Sequence, residues 1–315
     1  MIYIYRIASR IRKWAKMTNT HTTDIIERIE KSMSTFSKSH RLIANFIINN
    51  FDRAAYMTAC ALGSEVGVSE STVVRFATEM GFDGYHALQG ELREVIRVRL
   101  TSAQRVLAAN DRMCESEVLT HILTADAELI KSTLEGVDCC AFERAVDMIL
   151  SARNIYILGM RASAILAEFM NYYFGLLFDN VRLIRPAGGS EIFEHLMKVR
   201  EDDVVVSISF PRYTTGIVNA TEYASKTGAK VIAISDSMSS PIVTHADVAL
   251  IAKSEMASFV DSLVAPMSLI NAMIAYIAKK KNVEVIDTLE RLEAVWREYN
   301  VYTSGNSASG DTKND

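Results

Sequence analysis

Five short, almost wholly apolar runs alternate with stretches of helical periodicity across residues 154–280, and no other feature constrains this chain as tightly. The runs are 154–158, 181–184, 204–208, 231–234 and 247–251, and helical patterns cover 162–178, 190–199, 214–227 and 261–280, with a further one over 287–299. A strand that is apolar throughout, instead of alternating, must be covered on both faces, and the intervening helices supply the cover. The pattern predicts a doubly wound α/β domain built on a parallel sheet. Ligands in such domains sit outside the carboxyl ends of the strands.

The upstream part reads differently. From residue 24 to about 89 the pattern is helical with short turns: Ile25, Ile26, Ile29 and Met33 recur at helical spacing, then Leu42, Ile43, Phe46 and Ile47. A charged stretch over 88–109 suits a helical connector, and 115–135 and 140–152 again read as helices. At 315 residues the chain exceeds one ordinary domain. The expected organisation is a basic extension over 1–23, an all-α domain over 24–100, a helical linker over 101–130, the α/β domain over 131–285, and a C-terminal helix with a polar tail over 286–315.

Hydrophobic residues make up 49% and charged residues 23%, which gives enough apolar material for two cores and excludes a disordered chain. No apolar run reaches the roughly 18 residues that a membrane helix needs. The four cysteines, Cys60, Cys114, Cys139 and Cys140, have no CxxC or Cys/His spacing, and bridging the adjacent pair would be strained, so a reduced, cytoplasmic setting is expected. No metal-ligand spacing is present, and no cofactor is expected. Residues 1–16 carry Arg6, Arg10, Arg12, Lys13 and Lys16 without an acid. They read either as a basic arm for DNA or a membrane surface, or as a leader upstream of a start at Met17. Net charge is −4, and basic and acidic residues nearly balance over 24–100, so charge alone does not announce a nucleic-acid binder.

A local motif does. In 62–76 Gly67 can take the positive φ of a tight interhelical turn, Val68 can plug the gap, and Ser69 is placed to cap the next helix. Val73, Ala77 and Met80 would face inward with Leu62 and Val66, leaving Ser69, Glu70, Ser71, Thr72 and Arg75 at the exposed start of a recognition helix. Arginine there can pair with guanine or a phosphate, and the hydroxyls with either. An ordinary capped helix after a glycine turn carries the same local signs. The runs GVSESTVVRF and MGFDGYHAL decide the matter: together they resemble the N-terminal domain of RpiR-family regulators over roughly 75 residues. The resemblance implies a helix-turn-helix domain that binds operator DNA as a dimer. Gly63 stands where that family usually has alanine.

Two strand ends of the α/β region carry hydroxyl-rich turns that open helices, where free backbone N–H groups favour an anion. Gly159, Arg161 and Ser163 follow the first strand, and Ser209, Arg212 and Thr214 follow the third. The region over about 135–282 resembles a sugar-isomerase (SIS) domain, whose turns read G-x-G-x-S and S-x-S-G-x-T. Gly159, Ser163, Ser209 and Thr214 match, whereas Arg161, Pro211 and Arg212 replace a glycine, a serine and a glycine. The resemblance implies a sugar-phosphate site, to which Ser258 is a further candidate, and a homodimer or homotetramer. Glu191, Glu194 and His195 share a helix face suited to proton transfer, or simply to solvent. The reading is a ligand-gated regulator and not an enzyme. Its competitors are a phosphosugar isomerase or lyase, and a DNA-binding protein whose SIS domain only dimerises.

Overall fold

The computed structural model of the protein describes residues 25–99, 105–106, 115–185, 190–256 and 260–302. The chain divides into two compact units, 1–114 and 115–315. The basic extension, the polar tail and Ser258 lie outside the described residues.

Among its described residues the first unit has only helices and turns: α1 Ile25–Ser32, α2 Lys38–Asn49, α3 Phe51–Ala54, α4 Ala59–Val66, α5 Glu70–Glu79 and α6 Gly84–Arg99. Helices as short as α1, α4 and α5, at 8, 8 and 10 residues, do not persist alone in water, where about 12–15 residues are needed. Packing holds them. Ile25, Ile29, Ile43, Ile47, Leu62, Val73, Phe76, Leu88 and Leu92 are fully buried, each contributing about 1.5–3 kcal/mol. Ser37, Thr58 and Ser69 cap α2, α4 and α5 by accepting the amides of His40, Ala61 and Thr72.

The second unit comprises α7 Val118–Gly136, α8 Cys139–Ser151, β1 Ile155–Gly159, α9 Ala162–Leu177, β2 Val181–Ile184, α10 Glu191–Leu196, β3 Val204–Ile208, α11 Thr215–Lys226, β4 Lys230–Ser235, β5 Val248–Ile251, α12 Val264–Lys280 and α13 Asn282–Glu298. The sheet is parallel throughout, in the order β2-β1-β3-β4-β5. Ile157, Val206, Ile208, Ile232 and Ile234 pack on one face against α8, α9 and α12. Tyr156, Leu158, Val205, Val231 and Ala233 pack on the other against α10 and α11. This is the doubly covered sheet that the apolar runs predict. Its order reverses between β1 and β3, which places the ligand crevice of such folds at their carboxyl ends.

Three helix boundaries differ from the periodicity. The helix expected from 261 begins at Val264, because Asp261 instead bridges to Met256. The one expected over 190–199 stops at Leu196; beyond it the Arg200 amide binds the Asp203 carboxylate and turns the chain into β3. The last begins at Asn282, not 287, after a junction anchored by Lys281, whose Nζ donates to Leu177 O at 2.8 Å and sits over the Phe178 ring.

Candidate DNA-reading helix and ligand crevice

In the first unit α4 ends at Gly67 with φ 74° and ψ 36°, a conformation that favours glycine, and Val68 N donates back to Gly63 O at 2.8 Å. A Cβ at position 63 would lie 2.7 Å from Val68 O, so the glycine lets the turn close onto α4 more tightly than alanine would. Val73, Ala77 and Met80 face inward as expected, but Val66 is only half-buried; Phe76 fills the interior, fully buried.

Ser69, Glu70, Ser71 and Arg75 are exposed and Thr72 is half-buried, so the expected set forms one accessible helix start. Ser69 Oγ lies 2.9 Å from Ser71 Oγ and 2.8 Å from Thr72 Oγ1, and it accepts Thr72 N at 3.3 Å. The hydroxyls are thereby ordered by one another. Arg75 Nε donates to Ser71 O at 3.4 Å.

What aims this helix is a set of residues that sequence patterning did not single out. Arg28 of α1 donates to Met80 O at 2.5 Å, satisfying the end of α5, and stacks over Phe82. His40 Nδ1 lies 2.6 Å from Glu79 Oε2, with the His40 ring edge-on to Phe36 and Phe76. On α6, Tyr85, Gln89 and Arg93 fall at successive i+4 positions and hold three carbonyls just before α4. Tyr85 donates to Ala54 O and Met57 O, Gln89 to Met57 O, and Arg93 to Ala55 O. Burial pushes the Tyr85 phenol up to about 12, against a smaller opposing pull from Arg93. The i, i+4, i+8 spacing of polar residues on an otherwise packed helix was the available signal.

In the second unit the turns after β1 and β3 adjoin. Thr214 Oγ1 reaches Met160 Sδ at 3.6 Å, and a Cβ on Gly216 would lie 3.3 Å from the same sulfur. Gly159 is required by close packing, since a Cβ there would lie 2.5 Å from Ser163 O and 2.9 Å from Ala167 Cβ. Ser163 and Ser209 are only 5% and 4% exposed, yet neither hydroxyl makes a hydrogen bond among the described residues. The residues are nearly buried but the two hydroxyls themselves keep contact with solvent, so each is left open to a water molecule or a ligand. The Ser209 backbone is fixed on both sides, its amide to Ile234 O and its carbonyl to Ser235 Oγ.

Thr214 occupies the N-cap of α11 but offers its side chain to no amide, and Arg161 occupies the N-cap of α9 likewise. The amides of Ser163, Ala164 and Ile217 turn back onto Met160 O, Arg161 O and Thr214 O, which leaves those of Ala162, Thr215 and Gly216 as the free N–H groups of the two helix starts among the described residues. Arg161 is exposed at φ 57°, ψ −126°, where the resembling family has a glycine; a side chain in that region costs about 1–3 kcal/mol. Arg212 is exposed on the β3 turn, and the adjacent Tyr213 donates to Asp236 Oδ1 at 2.8 Å, bringing the β4 end into the same neighbourhood. Glu194 and His195 are exposed on α10, as a solvated helix face would be, and Glu191 is half-buried.

Comparison with known proteins supports both units. The helix-turn-helix domain of the rpiR family matches residues 23–97 and the SIS domain matches 148–276. The HTH-type transcriptional regulator HexR of Escherichia coli is 26% identical over 233 residues, covering 72% of this chain and 77% of HexR. The sugar isomerase domain of an RpiR transcription factor from Sphaerobacter thermophilus is 26% identical with a TM-score of 0.54, covering 56% of this chain and 99% of that one. The NanR protein of Vibrio vulnificus, solved in complex with ManNAc-6P, is 18% identical with a TM-score of 0.53, covering 89% of this chain and all of that one.

Proposed function

Since this chain belongs to the RpiR family of transcriptional regulators, an rpiR-type helix-turn-helix domain followed by a SIS domain, we propose that its DNA binding is gated by a sugar phosphate held in the crevice at the ends of β1 and β3. The observation that carries this reading is the pair of nearly buried, unpartnered hydroxyls of Ser163 and Ser209, set beside two helix starts whose amides attract an anion. NanR of Vibrio vulnificus, which shares the fold, was solved in complex with ManNAc-6P, and this supports the same ligand class here. Gly159, Ser163, Ser209 and Thr214 shape and line the site. Arg161 and Arg212 add positive charge where the family usually has glycine, and Ser258, outside the described residues, is a candidate from the sequence alone.

On the DNA side, Ser69, Glu70, Ser71, Thr72 and Arg75 meet base edges and phosphates at the start of α5. The reading is of a repressor acting in the cytoplasm without catalysis, in line with relatives named HTH-type transcriptional regulators, such as HexR. It works as a homodimer or homotetramer, and the exposed apolar stripe of Leu119, Leu123, Ile130 and Leu134 on α7 suits self-association. Among the described residues no helix is long and apolar enough to cross a membrane.

A titration of the full chain tests the sensor. A hexose or aminosugar 6-phosphate should raise the melting temperature in a saturable way, and the unphosphorylated sugar should not. Equal shifts from both sugars would refute the phosphate site.

A further inference from the structure

We infer that the amino-terminal edge of the sheet holds a second anion site, for a small phosphate-class anion with at least two negative charges. It lies at the other end of β1 from the crevice, about 16 Å away at roughly 3.3 Å per residue of strand.

A cavity of about 310 Å³ opens there, lined by Arg153, Asn154, Tyr156, Arg182, Met197, Lys198 and Arg200. That volume is at the lower end of the range for small-ligand sites. Four lining residues are cationic and none is acidic. The Asp203 carboxylate beside it is fully buried and already engaged by three donors: Arg153 Nη2 at 2.6 Å, Asn154 Nδ2 at 2.9 Å and the Arg200 amide at 2.9 Å. Asp203 therefore neutralises Arg153 and fixes the loop, but leaves Arg182, Lys198 and Arg200 without a carboxylate partner among the described residues.

Tyr156 supplies the independent observation. It is 3% exposed and lines the cavity, and its hydroxyl makes no hydrogen bond among the described residues. The Arg182 guanidinium lies 5.8 Å from the centre of its ring, in register across β1 and β2. A nearly buried donor without an acceptor, ringed by three uncompensated cations, is complementary to a compact multiply charged acceptor. Burial, and after it the Asp203 charge, raises the Tyr156 pKa, which keeps the phenol a donor.

Calorimetric titration of the full chain with inorganic pyrophosphate at fixed ionic strength tests this, with Ser209→Ala present to disable the crevice at the other end. One pyrophosphate should bind in that background. Lys198→Ala together with Arg200→Ala should weaken it at least tenfold, given about 1.5–3 kcal/mol for each hydrogen bond to a charged group. Arg182→Gln should do likewise, and Tyr156→Phe should weaken it severalfold with no loss of melting temperature. Arg153 is left intact because Asp203 depends on it. Unchanged affinity in the double variant, or no binding in the Ser209→Ala parent, overturns the proposal. So does an outcome in which the cation variants weaken only binding to a random DNA duplex, which would make this edge a contact for the DNA backbone.

Discussion

Replacing Ser209 with alanine should stabilise the free protein while disabling its sensor. The substitution removes a single hydroxyl that is 4% exposed with the rest of its residue and that meets no partner, while the bonds to Ile234 O and from Ser235 Oγ involve only the backbone and persist. An unmet, fully buried polar group costs about 1–3 kcal/mol, and because this hydroxyl keeps solvent access the gain stays below that range, at most about 1 kcal/mol. For a unit of this size that is a rise of at most about 2–4 °C in melting temperature. Ser207, two residues earlier, is the control. Its Oγ pairs with Thr221 Oγ1 at 2.6 Å in the core, so Ser207→Ala should lower stability by about 1 kcal/mol. With a sugar 6-phosphate the order reverses. Ser209→Ala should lose about 1.5–3 kcal/mol of affinity, roughly 10- to 150-fold, through the missing charge-assisted hydrogen bond. Scanning calorimetry with and without ligand reads both effects. If Ser209→Ala melts lower than the parent and binds the sugar phosphate equally well, the hydroxyl is structural and the crevice argument fails.

Gly63→Ala should destabilise the first unit by about 1 kcal/mol, because overpacking against Val68 O outweighs the helix propensity that alanine gains; a neutral result in urea denaturation would show that the turn relaxes freely. Arg161→Gly should relieve the strained φ of 57° and raise stability by up to about 1 kcal/mol, after allowing for the extra freedom of glycine in the unfolded chain, while weakening the sugar phosphate. Lower stability with unchanged ligand affinity would assign that arginine to packing alone. The phenol of Tyr85 ionises near 10 when unfolded and near 12 when folded, so between these values the unfolded state has lost a proton that the folded state keeps. Stability of the first unit should therefore be intact below pH 10 and fall by about 1.4 kcal/mol per pH unit up to pH 12, with Tyr85→Phe flattening the slope in urea midpoints.

The sheet was legible because the runs are almost wholly apolar, Val204–Ile208 being buried throughout, and such a run needs cover on both faces. The strand order was not, since nothing local to Val181–Ile184 says that it lies beside β1 at the edge. Gly67 and Ser69 could be read directly, each being tied to one backbone geometry. The spacing of Tyr85, Gln89 and Arg93 marks a polar stripe on α6 but not what it holds, because its targets are carbonyls some 30 residues away. At the crevice, Ser163 and Ser209 came from motif spacing, but their lack of partners and the left-handed backbone of Arg161 are properties of the packed turns.

In the proposed mechanism a sugar phosphate at the strand ends changes how α5 meets DNA. Fluorescence anisotropy at fixed salt, on a duplex selected from random sequence by the protein itself, tests it most directly. A saturating hexose or aminosugar 6-phosphate should change the dissociation constant at least fivefold, the lower range of allosteric coupling. The free sugar should leave it unchanged, Ser209→Ala should keep the DNA affinity but lose the response, and Arg75→Ala should weaken DNA binding by about 1–3 kcal/mol with or without ligand. A sugar phosphate that binds the protein yet leaves the DNA affinity unaltered would contradict the account.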